Sequence, residues 1–183
     1  MQNNDTVDLV DGAGAGLLAK HEVHDAVGVR GAFDVICRDV DGNIRWQDSF
    51  PNLVVTVGKN DLLDKYFRAS AYTALFYVGL KGAGTIAAGD TMASHAGWAE
   101  ITAYSNATRP AYTAAAASAG STSNTASPAA FTINGTATVA GCFITTNNTI
   151  GGTTGTLFSA ADFASSRSVL SGDTLTVTYT ISC

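Results

Sequence analysis

The amino-acid sequence predicts a mainly β protein: an antiparallel β-sandwich or jelly roll with one short helix over about residues 59–69. Three observations carry this expectation. The stretch Asp173-Thr-Leu-Thr-Val-Thr-Tyr-Thr-Ile181 alternates strictly between apolar residues and threonine, which is the two-residue period of a strand with one buried face. Short β-branched and aromatic runs recur along the chain, separated by clusters of Gly, Asn and Asp. One segment instead carries apolar residues at helical spacing, Leu62, Leu63, Tyr66 and Phe67.

Taken in order, residues 1–27 hold Asp11-Gly-Ala-Gly-Ala-Gly16 and sustain no apolar period. They are expected to form a flexible or extended N-terminal arm, with a single β-sandwich domain over 28–183. Val29, Ala32-Phe33 and Val35-Ile36 predict a first strand. Asp41-Gly42 is a dipeptide favoured where a tight hairpin turn needs a positive φ. Ile44-Arg-Trp46 then starts the return strand, with Ile44 and Trp46 on one face, and Pro51 ends it. Leu53-Val-Val-Thr-Val57 is a short apolar run broken by Gly58. Asn60 or Asp61 can cap the helix that follows. Leu62, Leu63, Tyr66 and Phe67 make its compact apolar face, with Asp64 and Lys65 on the other side.

Ala74-Leu-Phe-Tyr-Val-Gly-Leu80 has the composition of a buried strand. Lys81–Thr85 and Ala88–Asp90 are loop, and Asp90–Ser94 suggests a turn followed by a short helical segment. Trp98–Tyr104 alternates and fits a strand, ended by Arg109-Pro110. Residues 111–130 are nearly all Ala, Ser, Thr, Gly and Asn. They fit a linker, or else a strand pair joined by a polar turn near Gly120–Asn124. Phe131 to Val139 suggests one strand and Gly141 to Thr146 the next, with a turn at Asn147–Gly152. Leu157-Phe158 and Phe163 are expected to anchor a loop or short turn. In the last strand Leu175, Val177, Tyr179 and Ile181 face inward, and Thr174, Thr176, Thr178 and Thr180 face out. No repeat of fixed period is present.

Charged residues are 14% of the chain, against roughly 25% in ordinary soluble domains. Apolar residues are 46%, too many for a chain disordered throughout. No apolar run approaches the length of about 18 residues that suggests a membrane helix, so no membrane partner is expected. The net charge of −5 and the lack of a basic patch argue against nucleic acid as a partner. The first residues lack a positive n-region and an apolar h-region, so folding in a cytosol is expected. Cys37, Cys142 and Cys183 are an odd number at wide spacing without CxxC. They are expected to be free thiols rather than a zinc or redox motif. Asn106-Ala-Thr108, Asn134-Gly-Thr136 and Asn147-Asn-Thr149 match the glycosylation pattern but are expected to be ordinary β and turn residues.

No catalytic, cofactor-binding or metal-ligating residue is expected. His21-Glu-Val-His24 breaks the H-E-x-x-H spacing that sets two histidines on one helical face. Gly79-Leu-Lys-Gly-Ala-Gly-Thr85 has its lysine before the last glycine, whereas a phosphate loop needs it after. Asp61, Asp64, Asp90 and Glu100, with His95 near them in sequence, are the acid–base candidates. Carboxylates alone set no mechanism without paired geometry.

After Pro110 the only charged residues are Asp162, Arg167 and Asp173. A sheet face of Thr, Ser and Ala can pack against another surface with little loss of rotamer entropy and no charge desolvation. A monomer would normally guard its strand edges with charges. The C-terminal half is therefore expected to lie in an oligomer interface or against a larger assembly.

Several stretches together resemble a group of tailed-bacteriophage virion proteins over roughly residues 29–182. They are Asp41-Gly-Asn-Ile-Arg-Trp46, Asn52-Leu-Val-Val-Thr-Val-Gly-Lys-Asn-Asp-Leu-Leu-Asp-Lys-Tyr-Phe67, Tyr77-Val-Gly-Leu-Lys81, Asp90-Thr-Met-Ala-Ser-His-Ala-Gly-Trp98 and Arg109-Pro110. The resemblance implies a β-rich capsid decoration (cement) protein, not an enzyme. Such a protein is made in the host cytoplasm and binds the outside of the major capsid shell as a trimer or dimer. The N-terminal arm is expected to drape over the shell or an adjacent subunit. A tail, neck or fibre component is the structural alternative. A receptor- or carbohydrate-binding sandwich is another, with Trp46, Trp98, Tyr104 and Tyr112 as candidate platform rings.

Overall fold

The computed structural model describes residues 28–71 and 75–183. The arm expected over 1–27, the His21-Glu-Val-His24 cluster and the start of the strand expected at Ala74 lie outside them. The elements begin with β1 (Arg30–Arg38), β2 (Ile44–Pro51), β3 (Leu53–Val54), α1 (Thr56–Phe67) and β4 (Phe76–Lys81). The short strands β5 (Glu100–Ile101), β6 (Ala111–Tyr112), β7 (Ser121–Ser123) and β8 (Ala129–Thr132) follow. The chain closes with the long strands β9 (Ala137–Thr145), β10 (Leu157–Val169) and β11 (Thr174–Ser182).

These strands form two antiparallel sheets, as the sequence predicts. The first runs β2-β1-β11, and both β7 and β8 pair with the far edge of β11. The second runs β3-β10-β9-β4, with β5 and β6 both on the far edge of β4. The β1–β2 turn forms where Asp41-Gly42 predicts it. Gly42 takes φ 84°, and Asp39 Oδ1 accepts the N–H groups of Asp41 at 3.0 Å and Asn43 at 2.9 Å. Those donors hold the Asp39 carboxyl below the usual carboxylate range. Pro51 is the last residue of β2, as expected.

The two inner faces meet in one core. Phe33, Val35 and Cys37 of β1 and Leu175, Val177 and Tyr179 of β11 face Val78 and Leu80 of β4 and Cys142 and Ile144 of β9. Phe33 stacks on Phe50 at 5.6 Å, and Phe50 meets Phe163 edge-on at 4.8 Å. Such ring pairs add about 0.5–1.5 kcal/mol beyond the area they bury. Ile181, expected inside with its neighbours, is only partly buried.

The second sheet is covered on its outer face as well. The loop over residues 82–99 and the start of α1 bring Met92, Trp98 and Val55 onto Phe143, Leu157 and Ala160. Strand β9 is consequently buried from Val139 to Thr145 without interruption. This is why β4 and β9 read as apolar runs rather than as alternations.

Several expectations are corrected. Phe131–Val139 and Gly141–Thr146 are not two successive strands: β8 ends at Thr132, and Ala137–Thr145 is one strand. Gly141 does not break it. A Cβ there would stand 1.9 Å from the Ala161 carbonyl oxygen, so glycine lets β10 approach. Residues 157–163 are not a loop but the start of the 13-residue β10. Asp162 pairs with Gly141, yet Arg167 pairs with Val139, so β10 bulges between them. The bulge destroys the two-residue period that would have revealed the strand. Trp98–Tyr104 contributes only Glu100–Ile101 as strand plus a bridge from Tyr104 to Ile133. The segment after Asp90 forms bends and turns, not a helix. Of the two readings of 111–130 the strand-bearing one holds over the linker, but Ser121–Ser123, expected in the turn, is itself strand: β6 pairs with β4, and β7 and β8 with β11.

The helix differs most. It begins at Thr56, and its N-cap is Val55, without a side-chain cap, rather than Asn60 or Asp61. It is also turned the other way round. Leu62 and Leu63 are 41% and 52% exposed, and Tyr66 and Phe67 are 81% and 75% exposed. The Lys65–Asp61 pair is the better covered, at 14% and 18%. Gly58 decides this orientation. A Cβ there would lie 2.3 Å from the Phe158 carbonyl oxygen, so the helix rests its glycine, not its leucines, on β10.

Candidate functional site

The acid–base candidates fall into two groups. Asp61 and Asp64 sit on α1 and pair with Lys65 at 2.8 Å and Arg68 at 3.0 Å, each one turn on. Asp90, His95 and Glu100 come together around Trp98, where Met92, His95, Trp98, Glu100, Thr102 and Gly151 line a hollow of 440 Å³.

Each member of that second group is held by structural partners. Asp90 Oδ2 accepts the Trp98 indole N–H at 2.9 Å and the Ala87 N–H at 3.0 Å. His95 stacks on the Trp98 ring at 4.3 Å, and its Nδ1 lies 3.0 Å from the Thr91 carbonyl, to which it donates. Glu100 takes both prongs of Arg109, Nε–H at 2.8 Å and Nη2–H at 2.7 Å. The Gly151 N–H adds a bond of 2.7 Å to Glu100 Oε2. Arg109, fully buried, donates two further protons to the carbonyls of Asn147 and Gly152 at 2.8 and 3.0 Å. The pair therefore fastens the 147–152 turn to the 100–109 segment. With the Tyr104 O–H at 3.4 Å, four donors meet the Glu100 carboxylate, one for each of its lone-pair sites.

Lys81, in the stretch that superficially resembles a phosphate loop, is equally committed. Its buried ammonium donates to the carbonyls of Gly82 at 3.1 Å and Gly84 at 2.6 Å and to Asp162 Oδ1 at 2.6 Å. Carbonyl oxygens, not N–H groups, converge there, the reverse of an anion cradle. Among the described residues no three His, Cys, Asp or Glu side chains form a candidate metal site.

The thiols are free. Cys37 is buried, and its Sγ–H faces Asp173 Oδ2 at 3.6 Å. Burial first, and then the Asp173 carboxylate, push its pKa up to about 12. Burial raises Cys142 as well. Neither thiol is a nucleophile near neutral pH.

The candidate platform rings do not form a platform. Trp98 and Tyr104 are buried. Trp46 packs edge-on against Phe163 and donates its indole N–H to the Ser168 carbonyl. Tyr112 lies against Tyr179 at 5.5 Å. The carboxamide of Asn106, one of the glycosylation triplets, is taken up by the Thr132 N–H and the Ala130 carbonyl, both at 3.0 Å.

The three charges after Pro110 are all matched by residues of the first half: Asp162 by Lys81, Arg167 by Asp48 at 3.4 Å and Asp173 by Arg45 at 3.4 Å. On the outward face of the first sheet Thr174, Thr176, Thr178 and Thr180 stand beside Ala130 and Thr132 of β8. On the other side they pair with Ala32, Asp34, Ile36 and Arg38 of β1. The second uncovered surface is the apolar side of α1, where Tyr66 and Phe67 meet edge-on at 5.0 Å. Neutral β surfaces were legible in the sequence. The outward-facing helix was not, because spacing identifies an apolar face but not the direction it points. The chain matches no known family model and no curated protein.

Proposed function

We propose that this chain is a structural protein of a tailed-phage virion, a decoration protein that binds the outer surface of the major capsid shell as a homo-oligomer. The observation that carries the reading is the unsatisfied face of α1. Leu62, Leu63, Tyr66 and Phe67 turn outward while an ion pair turns in. Contiguous apolar surface of this kind marks an interaction site. The threonine row of β11, flanked on β1 by Asp34 and Arg38, supplies a second surface on which a neighbour meets mostly small neutral side chains. Four polar side chains of the stretches that carry the phage resemblance end in internal fastenings, which supports a mechanical role. Asn52 bonds Tyr179, Lys81 bonds Asp162, Asp90 bonds Trp98 and Arg109 bonds Glu100.

The experiment is reconstitution on capsids lacking the protein, followed by electron microscopy. Density on the shell exterior supports the reading, and density at the tail or neck replaces it with the tail-component alternative. Tyr66→Lys/Phe67→Lys, at positions that support no core contact, is expected to abolish shell binding or self-association while shifting folding stability by no more than about 0.5 kcal/mol.

A further inference from the structure

The outward face of the first sheet sets one charge of each sign on either side of an apolar residue. Ile36 of β1 is half-buried, and Asp34 and Arg38, two residues before and after it on the same row, are exposed. Among the described residues neither charge is in an ion pair. Arg38 donates one N–H to the Gly42 carbonyl at 3.0 Å. Around them the face is small and neutral. Thr178, Thr176 and Thr174 of β11 lie opposite Asp34, Ile36 and Arg38, and Ser49 and Gln47 of β2 lie opposite Asp34 and Ile36. Beside Asp34 the face is indented by a hollow of 380 Å³, with Ile36, Gln47 and Ser49 also in its wall.

We propose that this face binds the same face of a second copy of the chain, about a two-fold axis that passes over Ile36 perpendicular to the strands. This rests on the homo-oligomer proposed above and gives self-association to the first sheet, leaving α1 for the shell. Such an axis reverses the strand direction, so residue 34 of one copy lies over residue 38 of the other. Ile36, and its neighbours Thr176 and Gln47 in register with it, each lie over themselves. Asp34 of each copy therefore meets Arg38 of the other, once on each side of the axis. A two-fold along the strands would instead set like charge on like. Two residues of strand place each charge about 7 Å from the axis. Aligned sheets cross at about 30°, so the rows diverge there by about 3–4 Å, within the length of an arginine. The hollow beside Asp34 gives the incoming guanidinium room. The threonines lose little rotamer entropy when covered. The nine residues of β1 and a width of four strands give a face of about 30 by 19 Å. The two faces together bury about 1,100 Å², just above the area a specific interface needs and suited to a reversible dimer.

The test is sedimentation equilibrium of the full chain. The wild type is expected to dimerise reversibly with a Kd of about 10 µM. Asp34→Arg alone, or Arg38→Asp alone, sets like charges face to face and is expected to weaken the dimer at least about tenfold. Asp34→Arg/Arg38→Asp restores opposite charges across the axis and should recover the wild-type Kd to within about threefold. Both residues are exposed, so the fold itself is expected to tolerate all three variants. A wild type that stays monomeric up to about 1 mM overturns the proposal, while shell binding is read separately in the capsid reconstitution. Weakened single variants without recovery in the double variant would also overturn it. So would a dimer that survives both single variants and is lost in Tyr66→Lys/Phe67→Lys, which would put the contact at α1.

Discussion

The side-chain oxygen of Asn124 accepts the backbone N–H of Tyr179 at 2.7 Å, in the gap between two edge strands. On β11, Thr180–Ser182 pair with β7 and Thr174–Val177 with β8, leaving residues 178 and 179 without a strand partner on that side. The Asn124 carboxamide takes the place of the missing rung and also donates to the Val177 carbonyl at 3.2 Å. Asn106 repeats the arrangement on β8, receiving the Thr132 N–H and donating to the Ala130 carbonyl. Each asparagine thus matches the N–H and the C=O of residues two apart, the pattern a neighbouring strand would offer.

Replacing Asn124 with alanine leaves a buried N–H and C=O unpaired at about 1–3 kcal/mol each. Asn124→Ala is therefore expected to lower the unfolding free energy by about 2–4 kcal/mol, read from urea denaturation. Asn124→Asp keeps the acceptor, loses the donor and buries a charge, so it should do no better. A loss under about 0.5 kcal/mol would mean that water replaces the rung.

The Arg109–Glu100 pair makes a different prediction. Breaking a buried pair by removing one partner costs about 3–5 kcal/mol, because the other charge is left unmatched. Arg109→Met and Glu100→Gln should each be costly, while Arg109→Met/Glu100→Gln should cost less than the sum of the two. The double-mutant cycle in thermal unfolding checks this. Strict additivity would show that the two side chains act separately.

Gly58→Ala tests the docking of α1. In an exposed helix interior this change stabilises by about 0.5–1 kcal/mol. Here the added Cβ meets the Phe158 backbone, with the carbonyl oxygen at 2.3 Å and the Cα at 2.8 Å. The expected sign is therefore destabilising, with loss of protection at α1 in hydrogen exchange. A stabilised variant would show that the helix is not seated on β10.

The buried thiol and phenols predict alkaline instability. Cys37 is raised from 9.0 to about 12, and Tyr112 and Tyr179 from 10.0 to about 12, all chiefly by desolvation. A group with a raised folded pKa that is neutral when protonated stabilises the fold fully below its unfolded pKa, and that contribution is lost as pH rises to the folded value. For these groups stability should hold up to about pH 9 and fall between about 9 and 12. The thermal midpoint followed by circular dichroism checks the window, and Cys37→Ala should flatten its lower part. In the native protein at pH 8 a thiol reagent is expected to modify the exposed Cys183 and spare the buried Cys37 and Cys142.

Local chemistry made part of this fold legible. Asp41-Gly42 specified its hairpin because the turn needs a positive φ there. Thr174–Ile181 announced its strand because only one face meets the core. Pro51 ended β2 because it has no N–H to donate. Other elements were hidden by contacts from distant parts of the chain. The β10 bulge disrupted its alternation, the strand boundary expected between Val139 and Gly141 falls inside β9, and the 111–130 edge strands lack the bulk that marks a strand. The acid–base candidates are the clearest case. The sequence offered Asp61, Asp64, Asp90 and Glu100 as one set with His95 near them, and the fold separates Asp61 and Asp64 on α1 from Asp90, His95 and Glu100. Their partners, Ala87 N–H, the Thr91 carbonyl and Arg109, could be assigned only once the backbone was in place.

The sequence alone determined the β class, a helix over most of 59–69 and the concentration of charge before Pro110, because each follows from local period or composition. Only the tertiary structure decided that α1 turns its leucines outward. That orientation depends on the fit of Gly58 against the Phe158 carbonyl, a contact across about a hundred residues of chain that no local pattern encodes.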